Sequence, residues 1–277
     1  MPYAIKTVEP QAEPVSLAEA KTWCRVDADD VTQDPNISGL ITAARQYVEA
    51  ITKFQLVTAT WKLSLDSFYD PEYSSDTYNG WTLRLPKPPL VSVSSLTYVD
   101  TGGTTQTIAA ANYVVDTNTK PGRVTPSYTT TWPAARNVLN AVNVTYISGY
   151  ATPFTAVAAT DVITLKGKNP ADGDKFRLQN SGGALPAGLV TLTDYYAVSS
   201  SGATCKLSLT LGGAAVDITD AGSGTSFLGE VPESLRSAMK ILVSHWYENR
   251  EVVGRVGSEV AMSVNALLWS ERTGEYF

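Results

Sequence analysis

Hydrophobic positions change their period twice along this chain. Between residues 16 and 52 they recur every three to four residues, from Thr60 every second residue, and from Val231 again every three to four. Ser16-Leu17-Ala18-Glu19 has the form of a capping box. There the Ser16 hydroxyl accepts from the Glu19 backbone N–H, and the Glu19 carboxylate reaches back to Ser16. The pattern predicts a helix over 16–25, broken by Asp27, Asp29 and Asp30. Asp34-Pro35 predicts the next start, with Asp34 as N-cap and Pro35 at the first helical position. Ile37, Leu40, Ile41, Ala44, Tyr47, Val48 and Ile51 then make one apolar stripe over 35–52. Gly39 within it costs about 1 kcal/mol against Ala, which the stripe outweighs.

Over 58–148 the period is that of half-buried antiparallel strands. Trp61, Leu63 and Leu65 alternate with Lys62, Ser64 and Asp66. Trp81, Leu83 and Leu85 alternate with Thr82 and Arg84. Val91 and Val93 lead on to Leu96 and Tyr98, and Val142, Val144 and Tyr146 alternate with Asn143 and Thr145. Pro86, Pro88 and Pro89 end one strand, and Gly102-Gly103 marks a turn. Residues 153–229 differ: they are rich in Gly, Ala, Ser, Thr and Asp and hold no Trp. Short strands are predicted at 161–166, 174–179, 194–199, 204–210 and 214–219. Asp172-Gly173, Gly182-Gly183, Ser201-Gly202 and Gly212-Gly213 supply the turns, enough for a small sandwich or barrel.

The last strong helix, 232–250, opens on Pro232 with Glu233 in its first turn. Leu235, Ala238, Met239, Leu242 and Trp246 form its stripe. The expected fold class is therefore α+β. N- and C-terminal helices make a small bundle, an antiparallel β region lies between them, and an all-β domain is inserted. Residues 1–152 with 230–277 form one domain and 153–229 the other. After Gly254 and Gly257 comes an apolar tail, 258–277, that includes Leu267, Leu268, Trp269, Tyr276 and Phe277. A free terminus is usually polar, so this tail, without an evident core of its own, is expected to dock on a partner.

Composition narrows the function classes. Hydrophobic residues make up 43% of the 277 and charged residues 17%, enough apolar content for a buried core. The net charge is −6 with no basic run, so no dedicated nucleic-acid face is visible. Cys24 and Cys205 lie far apart without metal-ligand spacing, which favours a reducing compartment and no disulfide framework. No signal-peptide pattern opens the chain, and no stretch approaches the roughly 20 apolar residues of a membrane span.

Candidate chemistry is sparse. His245 is the single histidine; it sits inside a helix and reads as structural or surface-exposed rather than as a triad member. One His and two distant Cys do not make a zinc site. Asp172-Gly173-Asp174 lacks the alternate ligands and closing Glu of a calcium loop. Asp27, Asp29 and Asp30 fit a solvated loop better than a cation site. Of Trp23, Trp61, Trp81, Trp132, Trp246 and Trp269, all but Trp269 fit a core. No enzyme activity, metal or cofactor is expected.

Three stretches resemble the head–tail connector proteins of long-tailed bacteriophages, also called neck adaptors or head-completion proteins. The first is Pro14-Val15-Ser16-Leu17-Ala18-Glu19-Ala20-Lys21 with Arg25-Val26-Asp27 and the Ile37–Ile51 helix. The second is Trp61-Lys62-Leu63-Ser64-Leu65-Asp66-Ser67-Phe68, with Leu85-Pro86-Lys87-Pro88-Pro89-Leu90-Val91-Ser92-Val93. The third is Gly149-Tyr150, then Val231-Pro232 and the helix carrying His245-Trp246-Tyr247-Glu248-Asn249-Arg250. In that family the Gly-Tyr segment is followed soon by Val-Pro; here residues 153–229 intervene, resembling a small β module of phage structural proteins.

The resemblance implies a virion protein of the neck, made and assembled in the host cytoplasm. It implies a homo-oligomeric ring, typically a dodecamer, that binds the portal protein, receives the next neck or tail-completion protein, and lets DNA through its channel without sequence-specific binding or membrane contact. The C-terminal segment commonly docks on the portal, which here singles out Leu267, Leu268, Trp269, Arg272, Tyr276 and Phe277. A β-rich carbohydrate-binding or host-recognition virion protein is the alternative.

Overall fold

The computed structural model describes residues 3–69, 81–249 and 258–269. They form four helices and three antiparallel sheets, an α+β chain. The chain divides into two compact units: residues through Glu9 with Ala59–Gly149, and Pro10–Thr58 with the residues from Tyr150 onward.

The first unit is all β. Its strands are β1 (Tyr3–Val8), β2 (Ala59–Leu65), β3 (Leu83–Leu85), β4 (Leu90–Val99), β5 (Thr105–Thr107), β6 (Tyr113–Asp116), β7 (Gly122–Pro126) and β8 (Val142–Ser148). One sheet runs β1-β2-β8-β4-β5 and the other β3-β7-β6. Trp61 lies opposite Tyr146, Leu63 opposite Val144 and Leu65 opposite Val142. The period-two alternation thus aims these pairs at one core, which also takes Leu83, Leu85, Leu96 and Val124. Each such buried aliphatic side chain contributes about 1.5–3 kcal/mol. Gly122 in β7 admits Leu90: a Cβ on Gly122 would lie 2.5 Å from that side chain. Phe68 stacks on buried Trp132 at 4.9 Å, and Trp132 donates its indole N–H to the Trp81 carbonyl at 2.7 Å. Trp81 itself is exposed, so its place in the alternation is not a core place. β1 has no counterpart in the sequence reading, because its apolar side chains Ile5 and Val8 face solvent.

The second unit carries the helices α1 (Leu17–Trp23), α2 (Asp34–Thr52), α3 (Glu233–Glu248) and α4 (Ser258–Trp269). The capping box is formed: Glu19 N–H donates to Ser16 Oγ at 3.1 Å and Ser16 N–H to Glu19 Oε2 at 3.2 Å. α1 stops at Cys24, and Arg25 takes a left-handed φ of 55°. The N-cap of α2 is Gln33, not Asp34. The Asp34 carboxylate is held instead by buried Lys21, whose Nζ is 2.9 Å away. Val15, Ala20, Ile37, Ile41, Ala44, Val48, Leu235, Ala238, Met239, Leu242 and Val243 share one hydrophobic core with Val264 and Leu268. Tyr47, a stripe position in the sequence, is instead exposed and meets Trp246 edge-on at 6.0 Å. At the end of α2 the chain is pinned by buried Glu49. It accepts from Gln55 Nε2 at 2.6 Å, from Leu56 N–H at 3.2 Å and from Arg45 Nη1 at 3.1 Å.

The same unit holds β9 (Thr152–Val157), β10 (Val162–Leu165), β11 (Lys175–Phe176), β12 (Leu178–Ser181), β13 (Tyr195–Ser201), β14 (Thr204–Ser208) and β15 (Thr225–Leu228). Their order is β11-β13-β14-β10-β9-β15-β12. Only Arg177 separates β11 from β12, so the two ends of this order are one stretch of chain. The sheet therefore curls round into a small, nearly closed barrel. Its interior holds Phe154, Ile163, Leu165, Leu178, Tyr195, Leu207 and Leu228. The single strand expected at 174–179 is thus two, changing partner at Arg177. The strand expected at 214–219 is not formed; Ala215 makes one bridge to Ser208.

Candidate partner-docking site

The apolar tail singled out in the sequence begins as α4. Its faces divide sharply: Leu268 is fully buried in the helical core, Leu267 packs against that core half-buried, and Trp269 is 72% exposed. Leu268 therefore has a core within its own chain, contrary to the expectation of a coreless tail. Among the tail residues whose side chains are described, Val264 and Leu268 are buried and Trp269 is turned to solvent. Arg272, Tyr276 and Phe277 lie outside the described residues, as does Arg250 at the end of the helix expected over 232–250.

Other exposed aromatic rings lie on the helices. Trp23 on α1 is about half-exposed and has Lys240 Nζ 5.5 Å from its ring centroid. Such cation–π contacts hold an exposed ring in place by roughly 0.5–1 kcal/mol. A chain of ion pairs runs through the same helices. Arg236 Nη2 meets Glu19 Oε1 at 2.6 Å and Arg236 Nη1 meets Glu233 Oε2 at 2.7 Å. Lys240 Nζ meets Glu233 Oε1 at 2.8 Å. Burial pushes the Glu19 carboxyl up, but the hydrogen bond from Ser181 and the Arg236 guanidinium outweigh it and leave it below its ordinary value. Burial likewise raises Glu233, and Lys240 with Arg236 reverses the sign. Period alone gives no sign of this network; Glu19 stood out through its cap and Glu233 through its place in the first turn of its helix, but not their cationic partners.

The remaining chemical candidates resolve into structural roles. His245 Nδ1 is 3.2 Å from Asn249 Nδ2, one turn along α3. The Asp27–Asp30 loop closes around an internal cation, the Lys21 ammonium, which donates to the carbonyls of Ala28 and Asp30 at 2.8 Å each. Asp172 accepts from Ser200 N–H at 2.7 Å and Asp174 from Ala171 N–H at 3.1 Å, so both carboxylates fasten turns. No cluster of three metal-ligating side chains occurs among the described residues. Cys24 and Cys205 are buried free thiols, and desolvation pushes Cys205 up to about 11. An open concavity of about 570 Å³ on the barrel is lined by Asp172, Ser199, Lys206, Leu211 and Ala215 among others. No aromatic ring in its lining could stack on a sugar. No described helix is long and apolar enough to cross a membrane.

No family model matches the sequence, and no curated protein matches it. Solved structures do share the fold. A chain in the neck of an empty GTA particle, computed with C6 symmetry, aligns over 99% of this chain and 97% of its own, with 16% identity and a TM-score of 0.57. A chain in the virion of a native gene transfer agent particle aligns over 99% and 97%, with 15% identity and a TM-score of 0.56. A chain in the native neck computed with C12 symmetry aligns over 100% and 97%, with 16% identity and a TM-score of 0.52. At these identities the likeness establishes a common fold.

Proposed function

We propose that this chain is a structural, non-enzymatic protein of the neck of a phage-like virion. It forms a ring adaptor, a dodecamer, that binds the portal protein, joins the DNA-filled head to the tail and continues the DNA channel. Residues 1–152 with 230–277 make the adaptor body around a bundle of the two chain ends, and 153–229 is an inserted β module. The observation that carries this reading is the fold likeness to neck chains over almost the whole length. Sixfold and twelvefold symmetry in those necks supports a closed ring, the outcome of a head-to-tail interface whose rotation closes. In this reading the C-terminal segment 258–277 docks on the portal, with Trp269 as the anchor of its described part, and the opposite face receives the next neck component.

The test is co-expression with the portal protein of the same virion, followed by electron microscopy of the purified complex. The expected result is a ring of this chain seated on the portal. A chain that stays monomeric beside an undecorated portal overturns the reading.

A further inference from the structure

The barrel joins the helices through two neighbouring chain crossings. The chain enters at Thr152 and leaves at Leu228, and these residues pair in the β9–β15 ladder. Two adjacent crossings by themselves make a hinge, because the barrel can still rotate about the line through them. Contacts close to that line resist such rotation weakly. These include Phe227, whose side chain enters the helical core, and the Val231 N–H, which donates to Gln179 Oε1 at 3.2 Å.

A third contact lies away from that line. Ser181, at the far end of β12, donates its hydroxyl to Glu19 Oε2 at 2.5 Å. In the β12–β15 ladder Leu178 faces Leu228 and Ser181 faces Thr225. Ser181 is thus three residues, about 10 Å, along the strand from the crossing. Ser181 is 1% exposed. The next residue, Gly182, has a φ of +79°, and a Cβ there would lie 2.6 Å from the Ser16 side chain. Barrel and helix N-terminus therefore touch at the distance only a glycine permits. On the helical side Glu19 is fixed three times over: by its own cap, by α1 and by Arg236 of α3. Arg236 in turn donates through Nε to the Pro14 carbonyl at 3.1 Å.

We propose that Glu19 is the latch that turns this hinge into a fixed joint. One carboxylate holds Ser16 of the α1 cap, Arg236 of α3 and Ser181 of the barrel, so the barrel moves with α1 and α3 as one body. With the latch intact the barrel is a rigid arm, and a displacement of α3 is passed to it through Arg236, Glu19 and Ser181.

The experiment places spin labels at two exposed positions of the full chain, Val31→Cys beside α1 and Leu211→Cys on the barrel, and measures their distance distribution by pulsed electron resonance. The parent is expected to give one narrow distance. Ser181→Ala removes the barrel's donor while leaving the Glu19–Arg236 pair intact, and is expected to broaden the distribution at least twofold with an unchanged far-UV spectrum. Gly182→Ala drives a Cβ into Ser16 and is expected to do the same by another route; it decides the matter if Ser181→Ala does not fold. Folded variants that keep the narrow parental distance overturn the latch.

Discussion

At the scale of single residues, Leu268 and Trp269 are neighbours with opposite fates. Leu268→Ala empties a fully buried site and is expected to cost about 2–5 kcal/mol in denaturant unfolding. Trp269→Ala removes a mostly exposed ring and is expected to cost less than about 1 kcal/mol. If the portal contact runs through this tail, Trp269→Ala abolishes co-purification with the portal at unchanged stability. Retained co-purification moves the contact elsewhere. Cys205 gives a second residue-scale prediction. With its thiol pushed up to about 11, it stays protonated at neutral pH and unreactive toward iodoacetamide until the protein is unfolded. Alkylation of the native protein at the rate of a free thiol would contradict this.

Glu19 and Glu233 give a pH dependence. Both carboxyls lie below the ordinary value of 4.5 in the folded chain. The unfolded chain binds their protons first, so their stabilisation is complete above that ordinary value and fades as pH falls through the folded-state values. The melting temperature is therefore expected to drop as pH is lowered through and below the ordinary value of 4.5. Glu19→Gln is expected to shrink that drop, and an equal drop in parent and variant would remove Glu19 as its source.

At the scale of elements, α1, α2 and α3 were legible because caps and a 3.6-residue stripe are local signals, whereas α4 was read only as an apolar tail. The capping box at Ser16 formed as written, whereas the N-cap of α2 moved by one residue because a buried lysine competes for the Asp34 carboxylate. Gly39 lies on α2 with nothing within 4 Å of where a Cβ would sit, so Gly39→Ala is expected to raise stability by about 1 kcal/mol in thermal or chemical unfolding. An unchanged or lowered midpoint would mean that the position has a hidden contact.

In the β region the alternation placed β2 and β8 well. It faltered in β4, where the three-residue step from Val93 to Leu96 is a register shift: Val93 faces Tyr146, Ser95 faces Thr145 and Leu96 faces Val144. A bulge shifts the strand's phase by one residue, and without the partner strand it reads as noise. The barrel was legible through its turns, but β9 and β15 were not. Their identity as strands depends on pairing with each other across the intervening chain, which no local pattern records. The apolar tail was half legible: its apolar character was plain, but which side chains serve the chain's own core depends on α3 and α2 packing beside it.

At the scale of the whole molecule, the ends of the second unit are brought together by contacts such as Arg236 with Pro14, 222 residues apart. Its helical core is assembled from two separate stretches of sequence, Pro10–Thr58 and the residues from Tyr150 onward. Analytical ultracentrifugation of the chain with and without portal is expected to show a closed oligomer when portal is present. A species that grows without limit would mean an interface whose rotation does not close.

The distant pairing of α1 and α2 with α3 has a consequence for the making of the protein. On the ribosome α1 and α2 emerge long before α3, with Ile37, Ile41 and Val48 uncovered and no partner yet synthesised. The first unit can close meanwhile, and the helical core is completed only once α3 and α4 have been synthesised. A nascent chain stalled within the barrel is thus the form most exposed to proteases and chaperones. Only a chain translated through α3 and α4 can leave the translation machinery with that core sealed.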